Sequence, residues 1–319
     1  MIHLNVPQIA GFSFRSKPGA GITAILIIAM GIGLYFKMSR ETSRGRNHAF
    51  LISANGIPRL LDDSKLVIPG GNAAISRIRK NGEMVYIVPN DPHAAKDVYI
   101  TVYTPRGGQF SLLFPDSTTV WLNAQSKIRY PANFSQDSIE LNVEGEVYVK
   151  VARNPNPGLR IVTGSVRIQP FGARMDIMSY PDDPASITMI KDSAKLWLDQ
   201  KYPGMDSTEL MLHPAELAKL GDLSLGESVK LIVVPVTDDV KNIIDWKNGN
   251  TTFRNASIQT VMHAVARWYD VNIIYKSDIP HRNYNISLPR SASLEELLDI
   301  LRKQGCNFVN DGKTIVVGK

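Results

Sequence analysis

The residues able to do chemistry in this chain are few and scattered. Six histidines stand at positions 3, 48, 93, 213, 263 and 281, and the single cysteine is Cys306. No two of these fall at the short spacings that set two ligands on one helix face or one turn, so no metal site is expected. Acidic neighbours occur at Asp62-Asp63, Asp182-Asp183 and Asp238-Asp239. A glycosidase needs two carboxylates facing each other across a bond, whereas sequence neighbours of this kind sit in turns and are ordinarily solvated. Arg106-Gly107-Gly108 has the glycines of a phosphate cradle, yet no helical pattern follows it, and such a cradle needs a helix N-terminus behind it. A hairpin turn is expected there instead. Catalytic, cofactor-binding and metal residues are therefore all expected to be absent, and the chain is not expected to be an enzyme.

Charge and composition narrow the remaining classes. The 319 residues exceed one ordinary domain, and 44% hydrophobic with 21% charged residues is a balance that folds. The net charge of +6 would suit nucleic acid, but it is gathered at one end. Arg15, Lys17, Lys37, Arg40, Arg44 and Arg46 face only Glu41 in the first 46 residues, and the rest is close to neutral. Direct nucleic-acid binding is not expected, because releasing phosphate counterions needs a clustered basic face. With one cysteine no intrachain disulfide is available, which leaves an oxidising compartment open for a chain large enough to be stable by burial.

Between Pro18 and Phe36 no charge appears, and Ile22, Ile25, Leu26, Ile27, Ile28, Ile32 and Leu34 supply apolar surface. About 20 such residues cross a bilayer as a helix, so a single membrane span is expected over residues 19–37. A cleaved signal peptide and a buried helix are the alternatives; no Ala-x-Ala pattern follows the run to favour cleavage. The segment after the span is more basic than the one before it, which by the positive-inside rule favours a cytoplasmic C-terminus, although long domains translocate largely regardless of flanking charge.

Beyond a polar tether at 38–47, short alternating runs replace any helical period up to about residue 240. Val98 to Tyr103, Thr119 to Leu122, Ile139 to Val143 and Glu146 to Val151 are rich in β-branched and aromatic residues. Arg106-Gly107-Gly108, Pro115-Asp116-Ser117, Glu144-Gly145 and the run from Asn154 to Gly158 read as turns between strands. From about Asp245 the period changes. Ile258, Val261, Met262, Val265 and Trp268 recur at helical spacing behind Asn255 or Ser257 as N-cap, and Ser293 with Glu296 forms a capping box before Leu294, Leu297, Leu298 and Leu301. With strands at Val271 to Tyr275, Tyr284 to Leu288, Asn307 to Val309 and Thr314 to Val317, the expected order is β-α-β-β-α-β-β.

Thr104-Pro105-Arg106-Gly107-Gly108, the run from Leu113 to Ala124, Ile128-Arg129-Tyr130-Pro131 and the run from Glu144 to Val151 follow one another in order. Together they resemble the FecR domain. Trp246-Lys247-Asn248-Gly249, Phe253-Arg254-Asn255, Arg267-Trp268-Tyr269-Asp270-Val271 and Ser293 to Leu301 resemble the small domain that follows it in Bacteroidota. That small domain is similar to the short N-terminal domain of secretins and TonB-dependent transporters.

The resemblance implies a fold that is mainly β plus α+β: a β-solenoid-like, all-β FecR domain over 48–240 and a transporter-facing α+β domain over 241–319. It implies an inner-membrane, single-pass signal relay, with residues 1–18 cytoplasmic and both domains periplasmic, against the flanking charge. Its implied partners are the signalling domain of a TonB-dependent transporter and an extracytoplasmic-function sigma factor, which it restrains as an anti-sigma regulator. Full-length members carry a helical cytoplasmic domain before the span, and residues 1–18 are too few for such a core. An envelope-anchored protein-binding or scaffolding module without sigma-factor control is accordingly the alternative expectation. Within the C-terminal domain, Arg267 and Tyr269 are the expected partner contacts, since arginine and aromatic side chains are the usual interface anchors, and an exposed strand edge offers strand addition. The family's frequent Gly-Thr step, associated with self-cleavage in some members, aligns with Gly172-Ala173, where the alanine removes the hydroxyl. The chain is expected to stay uncut at that step, and an intact-mass measurement on purified protein would reveal any two-fragment product.

Overall fold

The computed structural model describes residues 49–52, 58–61, 66–67, 74–80, 83–95, 98–135, 137–153, 155–198, 209–220, 231–236, 240–276 and 279–318. The expected span at 19–37, with 1–18 and 38–47, lies outside them, as do Asp62-Asp63 and Asp238-Asp239. No described helix is long and apolar enough to cross a membrane.

The first part of the described chain is β-structure alone. Its strands are β1 (Ala49–Ile52), β2 (Pro58–Leu61), β3 (Leu66–Val67), β4 (Ala74–Lys80), β5 (Glu83–Ile87), β6 (Tyr99–Tyr103), β7 (Phe110–Leu113) and β8 (Thr119–Leu122). After them come β9 (Lys127–Pro131), β10 (Ile139–Lys150), β11 (Leu159–Thr163), β12 (Val166–Ser179), β13 (Ser186–Leu198), β14 (Leu210–Leu212), β15 (Glu216–Leu220) and β16 (Leu231–Pro235). Alternation decides which side chains turn inward: Ile100 and Val102 of β6 are buried between half-exposed neighbours.

Three long strands tie this β-body together by changing partners midway. Along one side of β10, residues 142–144 pair with β9 and residues 147–150 with β8. Along its other side the partner changes from β11 to β12. Strand β13 likewise pairs β14 through residues 194–196 and β15 through 186–188. Strands shared in this way bring the β-structure onto one core, where Phe114 meets Tyr130 edge-on and Phe134 face-on at centroid separations of 5.1 Å. Each fully buried side chain of this size contributes about 1.5–3 kcal/mol of transfer free energy.

The partner change in β10 falls at Gly145 and corrects one expectation. Glu144-Gly145 reads in sequence as a reversal, but the strand runs straight through it. Glycine is needed for another reason. Its φ is +85°, and a Cβ there would lie 2.5 Å from the Ser126 hydroxyl oxygen. That hydroxyl instead accepts the Glu146 N–H at 2.9 Å, joining the 123–126 turn to the strand. Strand β12 has its own irregularity between Phe171 and Arg174, with Gly172 at φ +67° and Ala173 fully buried.

The C-terminal part contains α1 (Val240–Ile243), a 3₁₀ turn (Asp245–Asn248), β17 (Asn250–Ser257), α2 (Ile258–Tyr269), β18 (Asn272–Tyr275), β19 (Asn283–Pro289), α3 (Leu294–Lys303), β20 (Phe308–Asn310) and β21 (Thr314–Val317). From β17 onward this is the β-α-β-β-α-β-β order expected from the periodicity. Ile258, Val261, Met262 and Val265 of α2 and Leu297, Leu298 and Leu301 of α3 form a second core with Tyr284, Ile286, Ile315 and Val317. Of the two possible caps of α2, Ser257 is the one used, its hydroxyl accepting the Thr260 N–H at 3.1 Å. At α3 the capping box is complete: the Ser293 hydroxyl accepts the Glu296 N–H, and the Glu296 carboxylate accepts the Ser293 N–H. Ser293→Ala removes the first of these bonds and should lower stability by about 1 kcal/mol, visible as a lower denaturation midpoint in urea.

Candidate functional site

Residues 42–319 form one compact unit, and the two cores within it meet along a polar junction. The 106–108 turn between β6 and β7 reaches the C-terminal end of α2. Gly107 donates its N–H to the Arg267 carbonyl at 2.8 Å, and the Arg106 guanidinium donates to the Val271 carbonyl at 3.3 Å beside Asp270. A cation and an N–H placed there answer the unpaired carbonyls and negative dipole end of the helix. Gly107 stands at φ +75°, so the expected turn is found, and it also serves as a dock.

The centre of the junction is an ion cluster. Arg267, only 7% exposed, places its guanidinium 2.7 Å from Asp183 and 3.3 Å from Asp182, both in the turn after β12. It also lies 3.8 Å above the Tyr180 ring. One helical turn earlier, His263 sets Nδ1 2.9 Å from the Asp183 carboxylate. The expected solvated acidic pair is therefore half right: the Asp182 side chain is 52% exposed, while that of Asp183 is covered to 6%. The ligand atoms of Asp182, Asp183 and His263 lie within 4.8 Å of one another, a grouping that sequence spacing does not reveal. The guanidinium already supplies the positive charge these carboxylates need, so a divalent cation would be set against it.

Beside this cluster lies a second acidic pair. Glu146 on β10 and Asp176 on β12 stand two residues out of register on paired strands, Glu146 opposite Met178 and Asp176 opposite Tyr148, and so share a sheet face. The Trp246 indole N–H reaches the Asp176 carboxylate at 3.2 Å, and the Asn123 amide donates to Glu146. The Asn123 side-chain oxygen Oδ1 in turn accepts from Arg290 at 2.9 Å and from Gln109 at 3.2 Å. Burial raises the pKa of both carboxyls; the charge of Glu146 raises Asp176 further, while the Asn123 bond, Arg267 and Arg290 oppose the rise at Glu146. Burial also pulls the Arg290 guanidinium down to about 10. An open cleft of about 110 Å³ enters between the two parts, with Glu146 and Asp183 on one side and Trp246, Phe253, Arg267 and Trp268 on the other.

The two side chains expected to meet a partner are thus placed differently from each other. Arg267 turns into the junction and spends its charge within the chain. Tyr269 is half-buried, donating its hydroxyl to the Ala292 carbonyl at 3.0 Å, and burial raises its pKa. Trp268 lines the cleft, where the helical period alone would send it to the core, because the acidic turn at 182–183 draws Arg267 inward instead. Asn123, Glu146, Asp176, Trp246 and Arg290 were not singled out as site residues by sequence, and Asp183 was read only as one of a solvated acidic pair. A signal did exist. Arg106-Gly107-Gly108, Asn123, Glu146, Trp246 and Arg267 all belong to the motif runs that carry the family resemblance, and they converge here.

The FecR protein family profile matches residues 100–195, and the FecR C-terminal profile matches residues 250–317. The chain belongs to the FecR family. Two crystal structures of a candidate anti-sigma factor from Parabacteroides distasonis are similar in fold. One has a TM-score of 0.60 at 19% identity, covering 69% of this chain and 99% of that one. The other has a TM-score of 0.59 at 20% identity, covering 69% and 98%. No curated protein matches the chain.

Truncating Arg267 leaves Asp183 covered and without its guanidinium. Arg267→Ala should cost about 3–5 kcal/mol, the usual penalty for breaking a buried pair from one side, and Arg267→Lys should recover part of it. Urea denaturation followed by tryptophan fluorescence would measure both.

Proposed function

We propose that this chain is an anti-sigma regulator of the FecR type, a relay that couples a TonB-dependent outer-membrane transporter to an extracytoplasmic-function sigma factor. In this reading residues 19–37 cross the inner membrane, and the β-body and the C-terminal α+β part lie in the periplasm. The observation that carries it is the match of both family profiles, in order, to the two parts whose motif residues pack against each other at the junction. A relay works by protein contact, and nothing in its task needs bond-making chemistry. It does need two states of unequal affinity for its partner, since a ligand that binds both states equally shifts nothing.

A junction stitched mainly by polar and ionic contacts suits that requirement. Such contacts are exchangeable for water at modest net cost, whereas the two apolar cores on either side are not. The α+β part can therefore change its relation to the β-body while both remain folded.

A bacterial two-hybrid assay tests the reading. The full-length protein, taken from the furthest upstream start codon, is paired with the sigma factor encoded nearest to it and, separately, with the signalling domain of the neighbouring TonB-dependent transporter. Association with both is expected. Transporter binding without sigma-factor binding from any start codon would leave an envelope-anchored docking module, and association with neither would remove the relay.

A further inference from the structure

We propose that the junction between the β-body and the C-terminal α+β part is a proton-dependent latch: the carboxyl pair Glu146 and Asp176 holds a proton while the parts are docked and gives it up to water when they separate.

Glu146 and Asp176 face the same way on adjacent strands, and each receives one neutral donor, the Asn123 amide and the Trp246 indole N–H respectively. Among the described residues no lysine or arginine forms an ion pair with either. The nearby cations are committed elsewhere. Arg267 is held by Asp182 and Asp183 on the turn after β12, and Arg290 donates to Asn123. Lys247 of the 3₁₀ turn lies over the rings of Trp121 and Tyr148, at 4.7 and 5.6 Å. Of the other groups at the junction, Tyr148 and Tyr180 are kept neutral by burial, His263 is bonded to Asp183, and Arg174 acts on Tyr148 from β12.

Arg267 and Arg290 act on Glu146 only from beyond ion-pair distance, and two neighbouring carboxyls held without an ion-pair partner are relieved most simply by protonating one of them. Docking creates the condition, because Trp246 comes from the C-terminal part and helps bring Asp176 to 3% exposure. Undocking returns both carboxyls to water, where they ionise as ordinary acids.

The sign follows from linkage. Both groups have higher pKa values docked than undocked, so the docked state binds the extra proton and is favoured on the acid side of that window. Docking weakens as pH rises through the docked-state values, by up to about tenfold per pH unit for each proton released. Glu146 lines the open cleft, so protons reach the pair without undocking. A partner that prefers the undocked state would accordingly bind more tightly as pH rises.

The Gly107 amide is a built-in reporter, since it is bonded across the junction to the Arg267 carbonyl. Hydrogen–deuterium exchange, followed by mass spectrometry on the full-length chain in detergent micelles from pH 5 to pH 8, reads its protection. After correction for the intrinsic pH dependence of exchange, protection at Gly107 is expected to fall steadily with rising pH. Peptides from the first half of β10 should hold theirs. Glu146→Gln combined with Asp176→Asn should flatten the slope, and His263→Gln should leave it intact. A flat wild-type profile, an unchanged slope in the double variant, or a slope lost in His263→Gln would each overturn the latch; if the double variant does not fold, the wild-type slope and the histidine variant still decide.

Discussion

Arg267 sits at 7% exposure in the last turn of a helix, and a guanidinium withdrawn that far from water must have its charge answered. The answer comes from Asp182 and Asp183, which belong to the other core and lie more than eighty residues earlier in the chain. Much of the junction follows from this requirement. The turn after β12 has to hold two carboxylates beneath α2, Tyr180 has to present its ring to the guanidinium, and α2 has to roll so that Arg267 rather than Trp268 faces inward. The rolled helix leaves Trp268 as a wall of the cleft, and its C-terminal carbonyls meet the 106–108 turn.

The family motifs take on physical meaning in this setting. Thr104, Asn123, Ser126 and Glu146 form one hydrogen-bonded group: the Thr104 hydroxyl donates to the Asn123 carbonyl, and the Ser126 hydroxyl bridges to the backbone of Glu146. That group fixes the turn beneath Arg290 and Gln109, which connect it to the C-terminal part. Gly145 belongs to the same arrangement, because any side chain there would strike Ser126. Residues that look like strand and turn punctuation along the sequence are thus the parts that hold one core against the other.

Such a junction differs in kind from the cores it joins. The β-body core and the helix-packed core are apolar, and cutting into either exposes surface that water disfavours. At the junction, bonds between charged or polar groups can be traded for bonds to water, and two carboxyls share one sheet face. A regulator that must pass a signal from one part to the other needs this contrast between units that persist and a contact that can change.

Local chemistry was legible in the sequence, and long-range charge pairing was not. The β-to-α+β change, the capping box at Ser293 and the apolar faces of α2 and α3 could be read directly, because each depends on neighbours within a turn or two of chain. Gly145 was misread because positive φ serves a reversal and a close approach equally, and only the packing of Ser126 distinguishes them. Asp183, Asp176 and Glu146 carry no local mark of burial. Their environment is set by α2, Trp246 and Arg290, which the chain delivers from about 70 to 145 residues away, and a charge's cost depends on what surrounds it in space rather than on what precedes it in sequence.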